Sequence, residues 1–278
     1  MFKLLILLIF SSYQVFAENG TKATVEIEEI IVKASWRATK LEKADASIFV
    51  IGQDLLIDQP VKHFEQLTLL MPNLNWAGGS SRPRYFQIRG IGERSGYEGT
   101  PNSSVGFIID DIDFSGLGGI ATTFDLEQVE VHRGPQGLRM GANALAGLIY
   151  MQSKNPTDAF EGIAELVYGS DDIKSLGIAM GGPIDEEEKL KYRVVLRQDE
   201  VNGFRNNSWL AKDDTSGKKE FTGRIKLNWQ PNSASTIDFL LMNVDLENGY
   251  DAWTMDNSLS TLSDKPGRDS QATNAMGL

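Results

Sequence analysis

From Phe160 onward, apolar and polar positions alternate with the period of two that marks a β-strand with two different faces. In FTGRIKLNW, residues 221–229, Phe221, Gly223, Ile225, Leu227 and Trp229 share one face, while Thr222, Arg224, Lys226 and Asn228 share the other. A looser version of this alternation runs through FEGIAELVYG (160–169), SLGIAMGG (175–182), KYRVVLRQ (191–198) and STIDFLLMNV (235–244), which predicts five strands joined as hairpins. Aromatic residues stand near strand ends at Phe160, Tyr168, Phe221 and Trp229. Short linkers (182–190 and 230–235) take turns with a long polar excursion (199–220). A soluble sandwich would also alternate, but these connection lengths and aromatic positions favour a membrane barrel. Five strands cannot close such a barrel, and lipid does not tolerate an open edge, so the barrel is expected to be incomplete within these residues.

Upstream, the apolar runs are shorter and are cut by glycine and serine. Strands are predicted at 47–51, 85–89, 105–109, 128–132 and 148–152. Between the first two, Val61, Phe64, Leu67 and Leu70 mark one face of a helix over 58–70, with Pro60 in its first turn and Pro72 ending it. These elements describe an α+β globule of ordinary domain size. Before it, EEIIVKA (28–34) has strand propensity among charges.

Composition narrows the function. The chain has 278 residues, a formal net charge of −11 and no cysteine. Such acidity argues against a nucleic-acid partner, because phosphate binding relies on clustered Lys and Arg. The absence of cysteine excludes disulfide scaffolds and thiolate zinc sites. Lys3, the apolar run Leu4 to Phe10 and the sequence Val15-Phe16-Ala17 have the layout of a secretory signal peptide, so export is expected. No catalytic constellation stands out. Asp110, Asp111 and Asp113 lack metal-loop spacing and are read as capping a hairpin, while His63 and His132 are read as structural. Neither GxxxxGK[ST] nor GxSxG occurs.

The block LEQVEVHRGPQGLRMGANALAGLIYMQSK (126–154), together with YFQIRGIG (85–92), VGFIIDDI (105–112) and EEIIVKA, resembles the N-terminal part of TonB-dependent outer-membrane receptors. Met140 stands where the family usually has Tyr, and Ala146-Gly147 where Gly-Gly is frequent. The resemblance implies an α+β plug domain followed by antiparallel transmembrane strands of a 22-stranded barrel that is incomplete here. Its implied domains are a signal peptide (1–17), an N-terminal extension (18–45), the plug (46–156) and the first barrel strands (157–278).

Several residue roles follow from the resemblance. Glu28, Glu29, Ile30, Ile31, Val32, Lys33 and Ala34 correspond to the TonB box, which pairs with the energy transducer TonB; the alternative is the plug's own first strand. Arg89 and Arg133 match plug arginines that pair with barrel glutamates, against a plain reading as solvated strand ends. Gly90, Gly134, Pro135, Gly141 and Gly147 make tight plug turns. Trp76, Arg82, Arg84 and Tyr97, on two loops, are ligand-contact candidates. No cofactor and no enzymatic step are implied. The expected partners are TonB, a ferric siderophore or similar small ligand, and outer-membrane lipid. An exported ligand-binding or adhesion module without transport is the alternative.

Overall fold

A computed structural model describes residues 30–34, 39–44, 46–58, 62–78, 81–95, 102–137, 143–170, 172–203, 205–207, 212–249 and 271–272. The signal-peptide segment, Glu28, Glu29, Tyr97 and Gly141 lie outside the described residues.

Two short strands come first, β1 (Ile31–Val32) and β2 (Thr39–Lys40), paired antiparallel. The first globule is built on β3 (Ser47–Gly52), β6 (Val105–Ile109), β7 (Ile112–Asp113), β8 (Leu126–Arg133) and β9 (Gly147–Ser153), in the order β3-β8-β9-β6-β7. Among the described pairings of this sheet only β9–β6 is parallel. A separate hairpin pairs β4 (Leu74–Ala77) with β5 (Tyr85–Ile88).

Helix α1 (Gln53–Asp58) follows β3 directly, and α2 (Phe64–Leu67) runs on as a 3₁₀ turn over Thr68–Leu70. The described residues therefore do not form the single helix expected from 58 to 70. His63 is extended, bridges to Thr122, and accepts a hydrogen bond from the Glu65 N–H on its side chain, while Gln66 reaches back to the His63 backbone. This reciprocal cap starts a new helix at Phe64. Burial, then the positive charges of Arg82 and Lys218, hold the His63 imidazole well below its usual range, so it is neutral and free to accept. Helix α2 buries Phe64 and Leu67 on one face of the sheet, where Phe64, Phe86 and Phe107 pack with ring centroids 5.2–5.6 Å apart.

After residue 160 the chain becomes a ribbon of β10 (Glu161–Tyr168), β11 (Lys174–Pro183), β12 (Leu190–Val201), β15 (Lys218–Asn232) and β16 (Ser235–Asn248), each antiparallel to the next. Within the excursion after β12 lie β13 (Arg205–Asn207) and β14 (Lys212–Thr215), and β13 also pairs with β17 (Gln271–Ala272). Among the described residues the ribbon does not close on itself, and β10 and β16 are its two edges.

Its burial is inside out. Along β11, Ser175, Gly177, Ala179 and Gly181 are buried, while Leu176, Ile178 and Met180 are exposed. On β15 the buried side chains are Glu220, Thr222 and Arg224, with Ile225 and Trp229 exposed. The polar row faces the first globule and the aliphatic row faces away, the reverse of a soluble sheet and the arrangement of an outer-membrane barrel wall. The apolar row continues across neighbouring strands, with Ile178 opposite Leu196 and Ile225 opposite Leu241. Phe160 and Trp229 mark one end of this band and Tyr168 the other, all well exposed. Turns over residues 184–189 and 233–234 lie at one end, and the long excursion between β12 and β15 at the other.

Candidate functional site: the junction between globule and wall

The polar row of the ribbon meets the globule through buried ion pairs. At its centre Asp125, in the left-handed turn before β8 (φ +59°), takes a fork from Arg193 of β12, Nε to Oδ2 at 2.8 Å and Nη2 to Oδ1 at 2.5 Å. Arg224 of β15 donates to the Asp125 backbone carbonyl at 3.1 Å, with its Nη2 3.4 Å from the carboxylate. All three side chains are at most 3% exposed.

On one side, Lys226 donates to Asp110 Oδ1 (2.9 Å) and to the Ser153 carbonyl (3.1 Å), and Ser153 also donates to Asp110 through its N–H and its hydroxyl. Burial alone would raise the Asp110 carboxyl; Lys226, the Ser153 hydroxyl and Arg224 outweigh it and hold the group below its usual range. Asp110 and Asp111 both have positive φ and form the tight turn between β6 and β7, so the expected hairpin is present and one of its aspartates also binds the wall. On the other side, Arg197 pairs with Glu165 and Asp199 and lies over the Phe124 ring, 5.1 Å from its centroid, while Lys62 of the globule reaches Glu165 at 2.6 Å. Gly177 admits this ring: a Cβ there would stand 2.7 Å from two Phe124 carbons.

Arg82 makes the remaining major cross-link, donating to both Glu220 oxygens of β15 at 2.7 and 2.6 Å and to Glu65 of α2. Burial would lower its guanidinium; the two glutamates outweigh that and raise it. Arg82 and Arg84 line a cavity of about 280 Å³ together with Leu117, Ile120 and Leu246, at the end of the ribbon that carries the long excursion. Of the other ligand-contact candidates, Arg84 is exposed and Trp76 is half exposed on β4, outside the cavity lining.

The arginines singled out in the sequence sit elsewhere. Arg89 is exposed in the turn after β5 (φ +53°), its N–H donating to the Asn73 carbonyl. Arg133 is half-buried at the end of β8, 5.9 Å from the centroid of Phe49. Among the described residues the globule-to-wall pairs come instead from Asp110, Asp125, Glu65, Lys62 and Arg82. Gly90 (φ +83°) and Gly134 (φ +132°) turn the backbone as expected of glycine, with Pro135 next to the latter. At Gly147 a Cβ would stand 2.3 Å from the His132 carbonyl oxygen, so β9 lies against β8 only because that position has no side chain.

Residues 30–34 are docked on the globule. Val32 and Ala34 are buried, and Ala34 packs with Ile108, Ala144, Leu148 and Tyr150 on the sheet face opposite α2. The Lys33 and Ala34 N–H groups donate to the two oxygens of Glu130 at 2.6 and 3.1 Å. Gln128 Nε2 donates to the Ile31 carbonyl at 3.1 Å, and the Lys33 ammonium pairs with Glu127.

A small α+β globule with glycine-cornered turns, pinned by buried charges to the polar face of an inside-out ribbon, is a plug seated on a barrel wall. Residues 40–148 match the TonB-dependent Receptor Plug Domain, and the ribbon that follows them has the arrangement of outer-membrane barrel strands. Among curated relatives, the pesticin receptor of Yersinia pestis is 25% identical over 215 residues, spanning 77% of this chain and 31% of the relative. The ferrioxamine B receptor of Salmonella typhimurium LT2 is 24% identical over 190 residues, 66% of this chain and 26% of the relative. The ferripyoverdine receptor of the Pseudomonas aeruginosa outer membrane superposes with a TM-score of 0.62 at 19% identity, over 75% of this chain and 26% of that one. The ferric yersiniabactin uptake receptor FyuA of Yersinia pestis gives a TM-score of 0.59 at 24% identity, over 68% and 29%. The chain thus spans about a third or less of these relatives' lengths.

Proposed function

We propose that the protein takes part in energy-coupled uptake of a scarce nutrient across the outer membrane, with a ferric siderophore as the substrate class and TonB as the energy-transducing partner. The observation that carries this reading is the junction itself: a plug held on the polar inner face of a wall whose outer face is aliphatic. That arrangement blocks a lumen and leaves it openable, since ion pairs and hydrogen bonds can exchange partners with water. Ligand would dock at the excursion end, where the exposed Arg84 offers a cationic group to an anionic chelate beside a cavity wall held by Arg82, Glu220 and Glu65. Segment 28–34 would serve as the TonB box, presenting its backbone to a partner strand. Arg89 and Arg133 are proposed to engage glutamates of barrel strands beyond the described ones. The siderophore preference is supported by what the relatives' names state they bind, ferrioxamine B and ferripyoverdine among them.

No chemical conversion of the ligand is needed for this task. Coupling requires that bound and free states differ in their contacts with the N-terminal segment. The test compares the receptor with a variant lacking residues 28–34 for binding and for uptake of ⁵⁵Fe-labelled siderophores under iron limitation. Binding should persist and uptake should stop. Uptake unaffected by the deletion would overturn coupling through this segment, and binding without uptake by the intact receptor would favour a ligand-binding module.

A further inference from the structure

The face of the plug sheet opposite α2 carries a buried polar cluster that the junction does not use. Gln128, Glu130 and His132 alternate along β8, all at most 8% exposed. His132 Nε2 lies 2.7 Å from Glu130 Oε2, and Gln128 Nε2 donates to Glu130 Oε1 at 2.5 Å. The carboxylate at the centre accepts from two consecutive backbone amides, those of Lys33 and Ala34. Glu130 has no cation from the wall among the described residues; its partners are its two β8 neighbours and the N-terminal segment.

The register shows what this does to β1. Backbone groups two residues apart along a strand point to the same edge. On one edge of β1, the Ile30 carbonyl accepts from the Leu41 N–H, extending the pairing with β2. On the other edge, the Ile31 carbonyl is taken by Gln128 and the Lys33 N–H by Glu130. Plug side chains therefore occupy the main-chain groups that an incoming strand would pair with. We propose that Glu130 is a clasp, whose carboxylate holds the backbone of Lys33 and Ala34 on the plug and keeps the outer edge of β1 closed to a partner strand until those bonds break.

The clasp is built to open. Hydrogen bonds to an ionised acceptor are roughly twice as strong as neutral ones, so two of them dominate a contact whose apolar part is Val32 and Ala34. Once the segment leaves, water reaches Glu130 from the vacated side and rehydrates its charge, so neither state strands a buried carboxylate. Without the carboxylate, docking would leave the Lys33 and Ala34 amides without an acceptor.

This inference rests on the TonB-box reading only for the identity of the partner, and its test separates the two. The chain has no cysteine, so a single Val32→Cys substitution reports on the segment, and a single Val129→Cys substitution, buried in the main core, reports on general opening of the plug. Maleimide labelling of the Val32→Cys receptor in isolated outer membranes should be at least tenfold faster with Glu130→Ala than without it, and labelling of the Val129→Cys receptor should be unchanged. Glu130→Gln, which keeps one carbonyl acceptor, should fall between the two, and it carries the test if the alanine variant fails to assemble. Equal labelling of the Val32→Cys receptor with and without the carboxylate, or an equal rise at both positions, overturns the clasp. Faster labelling at position 32 with no cross-link to the periplasmic domain of TonB supports the clasp and sinks the box assignment instead.

Discussion

Asp125 is the place to break the junction. Its carboxylate is 1% exposed and faces two guanidinium groups, each 3% exposed, from two different wall strands. Asp125→Asn keeps the shape and tolerates the left-handed backbone at φ +59°, so it isolates the charge. Arg193 and Arg224 would then keep their burial and lose their shared counterion. Removing one partner of a buried pair costs about 3–5 kcal/mol, because the remaining charge is left uncompensated. At about 1.4 kcal/mol per factor of ten, the opening equilibrium of the plug–wall contact should shift by roughly two to three and a half orders of magnitude. The control is Asp158→Asn, which removes the partner of Lys191 from a site where Asp158 is 80% exposed; such a pair is worth about 1 kcal/mol at most. Native-state hydrogen exchange over residues 126–133 reads the difference in the assembled receptor. If the two variants exchange within tenfold of each other, water already screens the Asp125 cluster and the reasoning from burial fails.

Three further outcomes follow from the same geometry. Gly147→Val places a Cβ against the His132 carbonyl and the Ile88 side chain, so β9 cannot seat on β8, and trypsin should cut the plug of an otherwise inserted receptor. Leu241→Arg puts a charge on the outward row of β16, at a cost of about 2–4 kcal/mol near the bilayer midplane; heat-modifiability on gels should show less assembled receptor than Leu241→Ala does. Burial would raise the Glu130 carboxyl, but His132 and the Lys33 and Ala34 amides outweigh it and lower it, with Gln128 and Lys33 also facing the site. A lowered carboxyl stabilises the docked segment fully above its unfolded value of 4.5 and loses that contribution as pH falls through the folded value. Labelling of the Val32→Cys receptor, divided by that of a freely exposed cysteine at the same pH because only the thiolate reacts, should stay flat down to about pH 5 and rise below 4.5; a rise near neutrality would contradict the assignment.

What could be read along the chain and what could not divide at one physical boundary. Period two fixes which face a side chain takes, so the rows Thr222, Arg224, Lys226 and Phe221, Ile225, Trp229 were legible, as were the five ribbon strands and the five predicted strands of the plug. Helix α1 was missed because Gln53–Asp58 is too short to display a helical period, and the helix expected over 58–70 was misjudged because a capping histidine interrupts an otherwise good apolar stripe. Partner choice is a separate problem. Arg193, Arg224 and Lys226 find their carboxylates 68, 99 and 116 residues away, and no periodicity carries that information.

Nor does it carry polarity: the arginines singled out on the plug, Arg89 and Arg133, make none of the described cross-links, while the wall supplies most of the cations and the plug supplies Asp110 and Asp125. The trace these two aspartates leave in the sequence is local. Each sits at positive φ immediately outside a strand, in the dipeptides Asp110-Asp111 and Asp125-Leu126, where aspartate tolerates a backbone that most residues avoid. A turn of that kind holds the short carboxylate rigidly at the sheet's end, and a rigid acceptor suits guanidinium and ammonium groups arriving from a second sheet. The same residue thus serves the turn and the junction, and its sequence signature reports only the turn.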